Sequence, residues 1–415
     1  MESAKMPIET AREATASDDS LVGIVKRRAD LLIGLVLLGV VAIWVGLLNT
    51  YLHGGAYDLS IYSATARGVF RGQDLYDVLP PGKPTGFTYP PFAALLLAPL
   101  GAIGATSAFV IVTAASLACG VRVAVLLGQA TSRIPGVRIP VRTATLLLLT
   151  TMLLMAPMDL TIRLGQIGLI LLWLATEDFL GAVPSGRRGF LIGLIAGIKL
   201  VPAFLIAALL VAGRRADALR AVIAFALTIG IGAVVNPAAS WRFWSALGEP
   251  TTVGDKLGGE NQSPYAFLAR SLGPDTGWIV FALVVVPLAV WFLLLTRRFT
   301  RTEAPLAAFA TAALGMLLLS PLSWGHYYIW TLPTIALMIG VSSIRLVTLA
   351  VLVPSLVVLS QRLYWQVPGG HGLERTWRGT QLLLGNSYVL VGFALLVWLT
   401  WYAWFSARTT SVHNS

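Results

Sequence analysis

The chain has few charged residues and almost no cysteine. Of its 415 residues, 12% are charged and 56% are hydrophobic, a composition too apolar for a water-soluble domain. The single cysteine, Cys119, excludes an internal disulfide, and the sequence has no spacing typical of a zinc or haem site and no P-loop. Long apolar runs fill most of the chain. The composition therefore predicts an all-α polytopic membrane protein.

Positive charge is concentrated in short segments beside the apolar runs, so the net charge of +11 does not indicate nucleic-acid binding. Lys26, Arg27 and Arg28 precede the first run, and cytoplasmic loops carry such an excess of cations. This pattern predicts a cytoplasmic N-terminus. The loops that mix acids, aromatic residues and amides then fall on the outer side.

The same reasoning divides the chain into three parts. Residues 1–25 are predicted to be a disordered cytoplasmic tail, residues 26–405 one transmembrane domain, and residues 406–415 a second cytoplasmic tail. At about 20 apolar residues per span, the domain has about 12 helical passages. Within it, Phe92–Leu100 is predicted to be interfacial and Pro157–Gln166 to be an outer loop.

The segment 189–212 allows two interpretations. Basic residues flank both of its ends, and Lys199 and Pro202 interrupt it. A hairpin of two half-helices with Lys199 near its tip would keep both flanks inside. A single span kinked at the proline is the alternative.

The first outer loop is an unusually polar stretch, from His53 to Leu100. Apolar residues recur at helical spacing after Asp58, which predicts a short amphipathic helix on the outer membrane surface. A carboxylate held near the hydrocarbon boundary has a raised pKa and can act as a general base. Asp58 is therefore the first catalytic candidate; its alternative role is to cap the helix.

Several other polar side chains are candidates. His326, at the outer end of an apolar run, could orient a hydroxyl, act as a base or donate to a leaving phosphate; a structural role is the alternative. Lys199, deep in an apolar segment, could pair with a lipid phosphate or extend to the surface. Loop residues could contact sugar, phosphate or headgroups, or only hold the loops: Asp159, Arg163, Gln166, Arg362, Arg375 and Arg378.

Four segments in order resemble glycosyltransferase family 87. They are YDLSIYSATARGVFRGQDLYD with GFTYPP, then RLGQIG, GIKLVP and SPLSWGHYY. That family consists of polytopic actinobacterial enzymes with the GT-C fold, which use polyprenyl-phosphate sugars. The resemblance implies a GT-C-type fold with interfacial helices in the first outer loop.

The resemblance also implies a reaction. It is transfer of mannose from polyprenyl-phosphate-mannose to a phosphatidylinositol mannoside, with inversion and an α-1,2 linkage, at the periplasmic face of the plasma membrane. Asp58 would be the base and His326 its active-site partner. The donor phosphate and lipid would contact Lys199, Arg163, Arg362 and Arg375; the acceptor or sugar would contact Asp159, Gln166, Tyr62, Tyr89, Trp324 and Tyr327.

Other GT-C enzymes carry paired acids with a metal, whereas this chain has a single Asp in the corresponding place. We therefore expect no metal and no cofactor, the lipid-linked donor being a substrate. A lipomannan-branching mannosyltransferase or an arabinosyltransferase using the same kind of donor is the alternative. A lipid transporter or flippase is a further one, but the sequence lacks the internal repeat and the path of ionisable residues that transport predicts.

Overall fold

A computed structural model describes residues 31–42, 44, 47, 56–83, 85–181, 183–246, 256–342 and 346–411. The predicted tail 1–25 and the basic group Lys26–Arg28 lie outside the described residues. The predicted tail from residue 406 begins inside the last helix, which continues to Ser411.

The described residues form helices and contain no β-strand; an isolated bridge joins Asn261 and Trp324. The helices of the amino-terminal half are α1 Leu31–Ala42, α2 Tyr57–Phe70, α3 Pro91–Leu97, α4 Pro99–Ala102, α5 Ala105–Ser132, α6 Val141–Leu154, α7 Ala156–Leu164, α8 Gly168–Phe179, α9 Phe190–Ile198 and α10 Phe204–Val211. Those of the other half are α11 Arg215–Val235, α12 Pro237–Ser245, α13 Pro264–Leu272, α14 Pro274–Arg301, α15 Pro305–Leu319, α16 Leu332–Ser342, α17 Leu346–Leu359, α18 Thr380–Gly385 and α19 Ser387–Ser411.

Four of these helices, α5, α11, α14 and α19, are long and apolar enough to cross a membrane. A fifth span is obtained if α6 and α7 count as one broken span. The predicted all-helical membrane architecture is confirmed at this level. The count of about 12 passages stays a prediction, because several other apolar helices are shorter than the roughly 20 residues of a full span.

The prediction of a loop at Pro157–Gln166 is wrong. Residues Ala156–Leu164 form α7, which is bent by 64° from α6. Gly165 ends α7 in a left-handed conformation, with φ of 69°, as glycine often does at a helix C-terminus. A Cβ at Gly165 would lie only 2.6 Å from Cβ of Leu59, so the end of α7 packs directly on the start of α2.

The segment 189–212 is a hairpin. Arg188, before α9, accepts a hydrogen bond of 2.7 Å on its carbonyl from Arg220, while Arg214, after α10, donates one of 2.6 Å to Asp217. Both flanks therefore meet the first turns of α11. Lys199 lies between the half-helices in an extended conformation, as predicted for the tip.

Small residues let α9 approach α11 closely. Gly193 faces Ala221, and Gly197 faces Thr228, with no room for a Cβ at either glycine. This Gly-xxx-Gly spacing is a common device for close helix contacts in membranes. It holds the hairpin, and hence Lys199, against the long helix α11.

The centre of the bundle is α15, which is buried along nearly its whole length and contacts α14, α16 and α19. The chain then continues through Ser320–Trp324 into a 3₁₀ segment, Gly325–Thr331. This connection brings His326 from the core to the end of the bundle where α2 and α7 meet.

Candidate active site

A cavity of about 690 Å³ lies at that end of the bundle. Six parts of the chain line it: α2, residues 85–89, α7 with Gln166, residues 258–260, residues 324–327, and the segment 364–377. Because α2 is anchored on Gly165 and α4, its first turn faces the cavity. The cavity is large enough for a sugar-sized ligand.

Asp58 lies in the wall of this cavity, on the first turn of α2. It does not cap the helix, since the N-cap is Ala56 and no side chain caps it. Instead, Gln166 Nε2 donates a hydrogen bond of 2.7 Å to Asp58 Oδ2. The contact thus joins the first outer segment to the residue after α7.

Aromatic hydroxyls extend this contact. Tyr89 donates to Gln166 Oε1 over 3.2 Å, and the hydroxyls of Tyr62 and Tyr89 lie 2.9 Å apart. Both tyrosines are buried except where they face the cavity. The network orients the Gln166 amide so that its N–H points at Asp58. These four residues were predicted as site residues, and the structure brings them together.

Burial raises the pKa of Asp58 above its ordinary value, while the hydrogen bond from Gln166 and the charges of Lys199 and Lys83 act in the opposite direction. A carboxyl group in this balance ionises at higher pH than a solvent-exposed one, which makes the carboxylate a stronger base. The geometry therefore equips Asp58 to take a proton from a hydroxyl in the cavity.

His326 lines the cavity and is buried against Tyr327, with the two ring centroids 4.7 Å apart. Burial, and next the charge of Lys199, lower the pKa of His326 well below its ordinary value. The imidazole is therefore neutral at pH 7. No described protein group hydrogen-bonds its Nε2 atom, so this nitrogen has no structural partner that would explain its position.

Lys199 lies next to the cavity rather than in its lining. Its Nζ is 3.9 Å from the centroid of the Tyr327 ring and 5.0 Å from that of Tyr89. It lines a small neighbouring pocket whose wall also contains His326. Lys199 therefore acts on the cavity through its charge and through these rings.

The other predicted residues divide between the cavity and its rim. Arg163 and Trp324 line the cavity. Asp159 pairs with Arg362 over 3.0 Å, close to the lining residue Trp365. Arg375 is exposed outside the lining.

Sequence reasoning missed one wall of the cavity. It consists of Glu260, Tyr364, Trp365, Glu374 and Trp377. These residues come from two segments between long helices, where no helical or strand periodicity distinguishes one polar residue from another. Only the position of Glu260 in GGENQSP, between a glycine pair and a helix-starting Ser-Pro, was a usable signal.

A helical bundle with membrane-length apolar helices and a general-base candidate in a sugar-sized cavity has the architecture of a membrane-bound group-transfer enzyme. Residues 87–321, more than half of the chain, match the sequence model of glycosyltransferase family 87. The chain therefore belongs to glycosyltransferase family 87, which confirms the resemblance. Asp58 and His326 lie outside the matched segment, one on each side of it.

Curated relatives extend the match. The chain is 31% identical over 365 residues to a polyprenol-phosphate-mannose-dependent alpha-(1-2)-phosphatidylinositol mannoside mannosyltransferase of Mycobacterium tuberculosis, covering 82% of this chain and 83% of the relative. It is 31% identical over 393 residues to the corresponding pentamannoside mannosyltransferase of that species, covering 88% and 86%. A Mycolicibacterium smegmatis pentamannoside mannosyltransferase is 30% identical, covering 87% and 89%. No solved structure matches the chain.

Proposed function

We propose that this protein transfers mannose from polyprenyl-phosphate-mannose to a phosphatidylinositol mannoside and forms an α-1,2 linkage. The names of the relatives support the donor and the acceptor. The observation that carries the proposal is the placement of Asp58, a carboxylate with a raised pKa held by Gln166 in the wall of the cavity.

In the proposed reaction, Asp58 removes the proton from a hydroxyl of the acceptor. The hydroxyl oxygen attacks the anomeric carbon of the donor mannose as the bond from that carbon to the phosphate oxygen breaks. The electron pair of the broken bond leaves with polyprenyl phosphate. A single displacement of this kind inverts the anomeric centre, so a β-linked donor gives an α-linked product.

The leaving phosphate needs hydrogen-bond donors or positive charge where its own charge develops. Arg163, in the cavity lining, supplies positive charge, and neutral His326 supplies an N–H. Lys199 adds positive potential from behind the Tyr327 ring. Arg362 and Arg375, towards the rim, would meet anionic headgroups.

The remaining predicted contacts are proposed for the sugars. Tyr62, Tyr89, Tyr327 and Trp324 present aromatic surface to the cavity, and Gln166 and Asp159 present polar groups on α7 or next to it. We further propose a GT-C fold in the plasma membrane, with the cavity on the periplasmic face and with no metal or cofactor. The positive charge beside the apolar runs supports that orientation.

The test is a transfer assay with the purified protein in proteoliposomes. Labelled polyprenyl-phosphate-mannose and a phosphatidylinositol mannoside are expected to give a product from which an α-1,2-specific mannosidase releases the label. Polyprenyl-phosphoarabinose serves as the competing donor. Transfer from the arabinose donor alone, or a product resistant to the mannosidase, would contradict the proposal.

A further inference from the structure

The unpredicted wall of the cavity is built on a rigid backbone. Gln262 N donates to Ser323 O over 2.8 Å, and Gly325 N donates to Glu260 O over 3.0 Å. These bonds tie the segment before α13 to the segment that carries His326. Glu260 and His326 therefore have a defined spacing.

A buried arginine reinforces this backbone. Arg270, only 1% exposed, donates from its guanidinium group to the carbonyls of Leu257, Gly258 and Asn261. The side chain of Asn261 binds two further carbonyls, at Lys256 and Pro321. A dense buried network of this kind fixes the conformation of a loop.

Glu260 is the exception within this buried segment. Asn261, Gln262 and Ser263 are fully buried, whereas Glu260 is exposed and lines the cavity. Partial enclosure of its carboxyl group by protein, and then the negative charge of Asp58, raise its pKa. The two carboxyl groups therefore line the same cavity.

Trp365 is the neighbour of Glu260. The Trp365 side chain lies near enough to the Glu260 carboxyl to act against the rise of its pKa, and 43% of Trp365 is exposed although it lines the cavity. The guanidinium groups of Arg362 and Arg163 lie 4.4 and 5.7 Å from the centroid of its ring. The indole is thus held from several sides while part of its surface stays open.

We propose that Glu260 and Trp365 form the subsite that binds the acceptor's terminal hexose, the sugar whose hydroxyl Asp58 deprotonates. A carboxylate can accept hydrogen bonds from two neighbouring sugar hydroxyls. The open part of an indole ring packs well against the apolar C–H surface of a hexose. This subsite rests on the proposed glycosyl transfer and assigns the acceptor to one wall of the cavity.

The charge of Glu260 itself favours a neutral sugar over a phosphate, whereas Arg163, 5.7 Å from the centroid of the Trp365 ring, is the group proposed for the leaving phosphate. The donor carries a phosphate, which a carboxylate at Glu260 would repel in a poorly solvated cavity. The acceptor's terminal sugar is neutral and meets no such repulsion. In addition, the acceptor hydroxyl must reach Asp58, and Glu260 lines the same cavity as Asp58.

The test compares Glu260→Gln and Trp365→Ala with the wild-type protein, using octyl α-mannoside as the acceptor probe. The change from glutamate to glutamine removes the charge but keeps the length of the side chain and one oxygen acceptor. Each variant is expected to raise the acceptor KM about 10-fold, the loss of about 1.4 kcal/mol of binding, and to leave kcat and the donor KM within about two-fold. Trp365→Phe, which keeps a ring, is expected to have a smaller effect.

Matched controls come from the same chain. Glu303→Gln changes an exposed acid just after the end of α14, and Trp241→Ala removes a tryptophan of α12 that is 78% exposed and outside the cavity lining. Both should behave as wild type. Thermal unfolding in detergent checks that each variant is folded. If Trp365→Ala is not folded, the acceptor KM values of Trp365→Phe and Glu260→Gln test the subsite.

The outcomes separate this proposal from the proposed reaction. An unchanged acceptor KM in Glu260→Gln, an equal rise for donor and acceptor, or a loss confined to kcat would overturn the subsite. Binding of octyl α-mannoside is also measured directly, without turnover. If the wild-type protein transfers no mannose but both variants bind the mannoside about 10-fold more weakly, the subsite stands and the reaction is wrong.

Discussion

The two ends of the bundle treat their charged residues differently. At the end where the hairpin begins, Asp178 is fully buried and accepts from the backbone N–H groups of Gly189 and Ile192. Next to it, Asp217 binds both Arg214 and Arg220. The charges of this cluster, which we call the hairpin cluster, are paired or hydrogen-bonded.

At the other end, around the cavity, buried polar atoms are left without partners. They include His326 Nε2 and Glu374 Oε2. Buried polar groups in folded proteins are nearly always hydrogen-bonded, and an exception needs a reason. The comparison indicates that the hairpin cluster serves folding, whereas the cavity residues are placed for a ligand at some cost to stability.

The largest expected effect is that of Asp58→Asn. Loss of the base should lower transfer by about 100- to 10,000-fold, measured as kcat/KM with labelled donor. Burial raises the pKa of Asp58 in the folded protein, so at a pH where the carboxyl group is ionised it destabilises the folded state relative to the unfolded chain. The Tm at pH 7 should therefore stay the same or rise. Near-normal turnover, or a large fall in Tm, would contradict the contrast between the cavity residues, placed for a ligand, and the hairpin cluster, which serves folding.

His326→Ala should have the second-largest effect, a fall in kcat of about 100-fold if the imidazole N–H stabilises the leaving phosphate. His326→Gln, which keeps an N–H donor, should retain more activity than the alanine variant. Both are measured at saturating donor and acceptor. Equal, small losses in the two variants would return His326 to a structural role.

The hairpin cluster should show the opposite pattern. Asp178→Ala leaves two buried backbone N–H groups without an acceptor, which is expected to cost about 1–3 kcal/mol per group. The measurement is thermal unfolding in detergent, together with kcat per folded molecule. We expect a clear loss of Tm with kcat almost unchanged. A loss of kcat without a loss of Tm would show that this end also takes part in the reaction.

The smallest expected effect links Lys199 to the pH profile. Transfer requires ionised Asp58, so kcat/KM should fall as the pH drops through its raised pKa. The charges of Lys199 and, less strongly, Lys83 lower that pKa. Lys199→Met should therefore move the acid limb to higher pH, by up to about one pH unit, and lower the plateau only slightly, because Lys199 lies beside the cavity and not in its lining; Lys83→Met should move the limb less.

The alternative role of Lys199 gives a different result. If Lys199 binds the donor phosphate, the lysine-to-methionine variant should raise the donor KM at every pH and leave the acid limb in place. Measuring kcat/KM for donor and acceptor across the acid limb and the plateau separates the two roles.

Much of the architecture could be read from local pattern. The apolar runs predicted a helical membrane protein, and the spacing after Asp58 predicted α2, found at Tyr57–Phe70. Paired basic flanks indicated the hairpin around Lys199 as one of two interpretations. The prediction at Pro157–Gln166 failed because the polar residues were assigned to a loop. Most of them lie on helix α7, where Asp159 pairs with Arg362. Propensity and periodicity could not distinguish a polar loop from a polar helix end.

The sequence alone determined which residues can carry charge next to a membrane and the order in which they occur, because hydropathy and charge are local properties. It identified Asp58, Gln166 and His326 as members of a family pattern. Only the tertiary structure decided that Glu260 and Trp365, from segments far apart in the sequence, line one cavity with them. That wall depends on the buried network around Arg270 and Asn261, in which bonds between distant segments set the geometry.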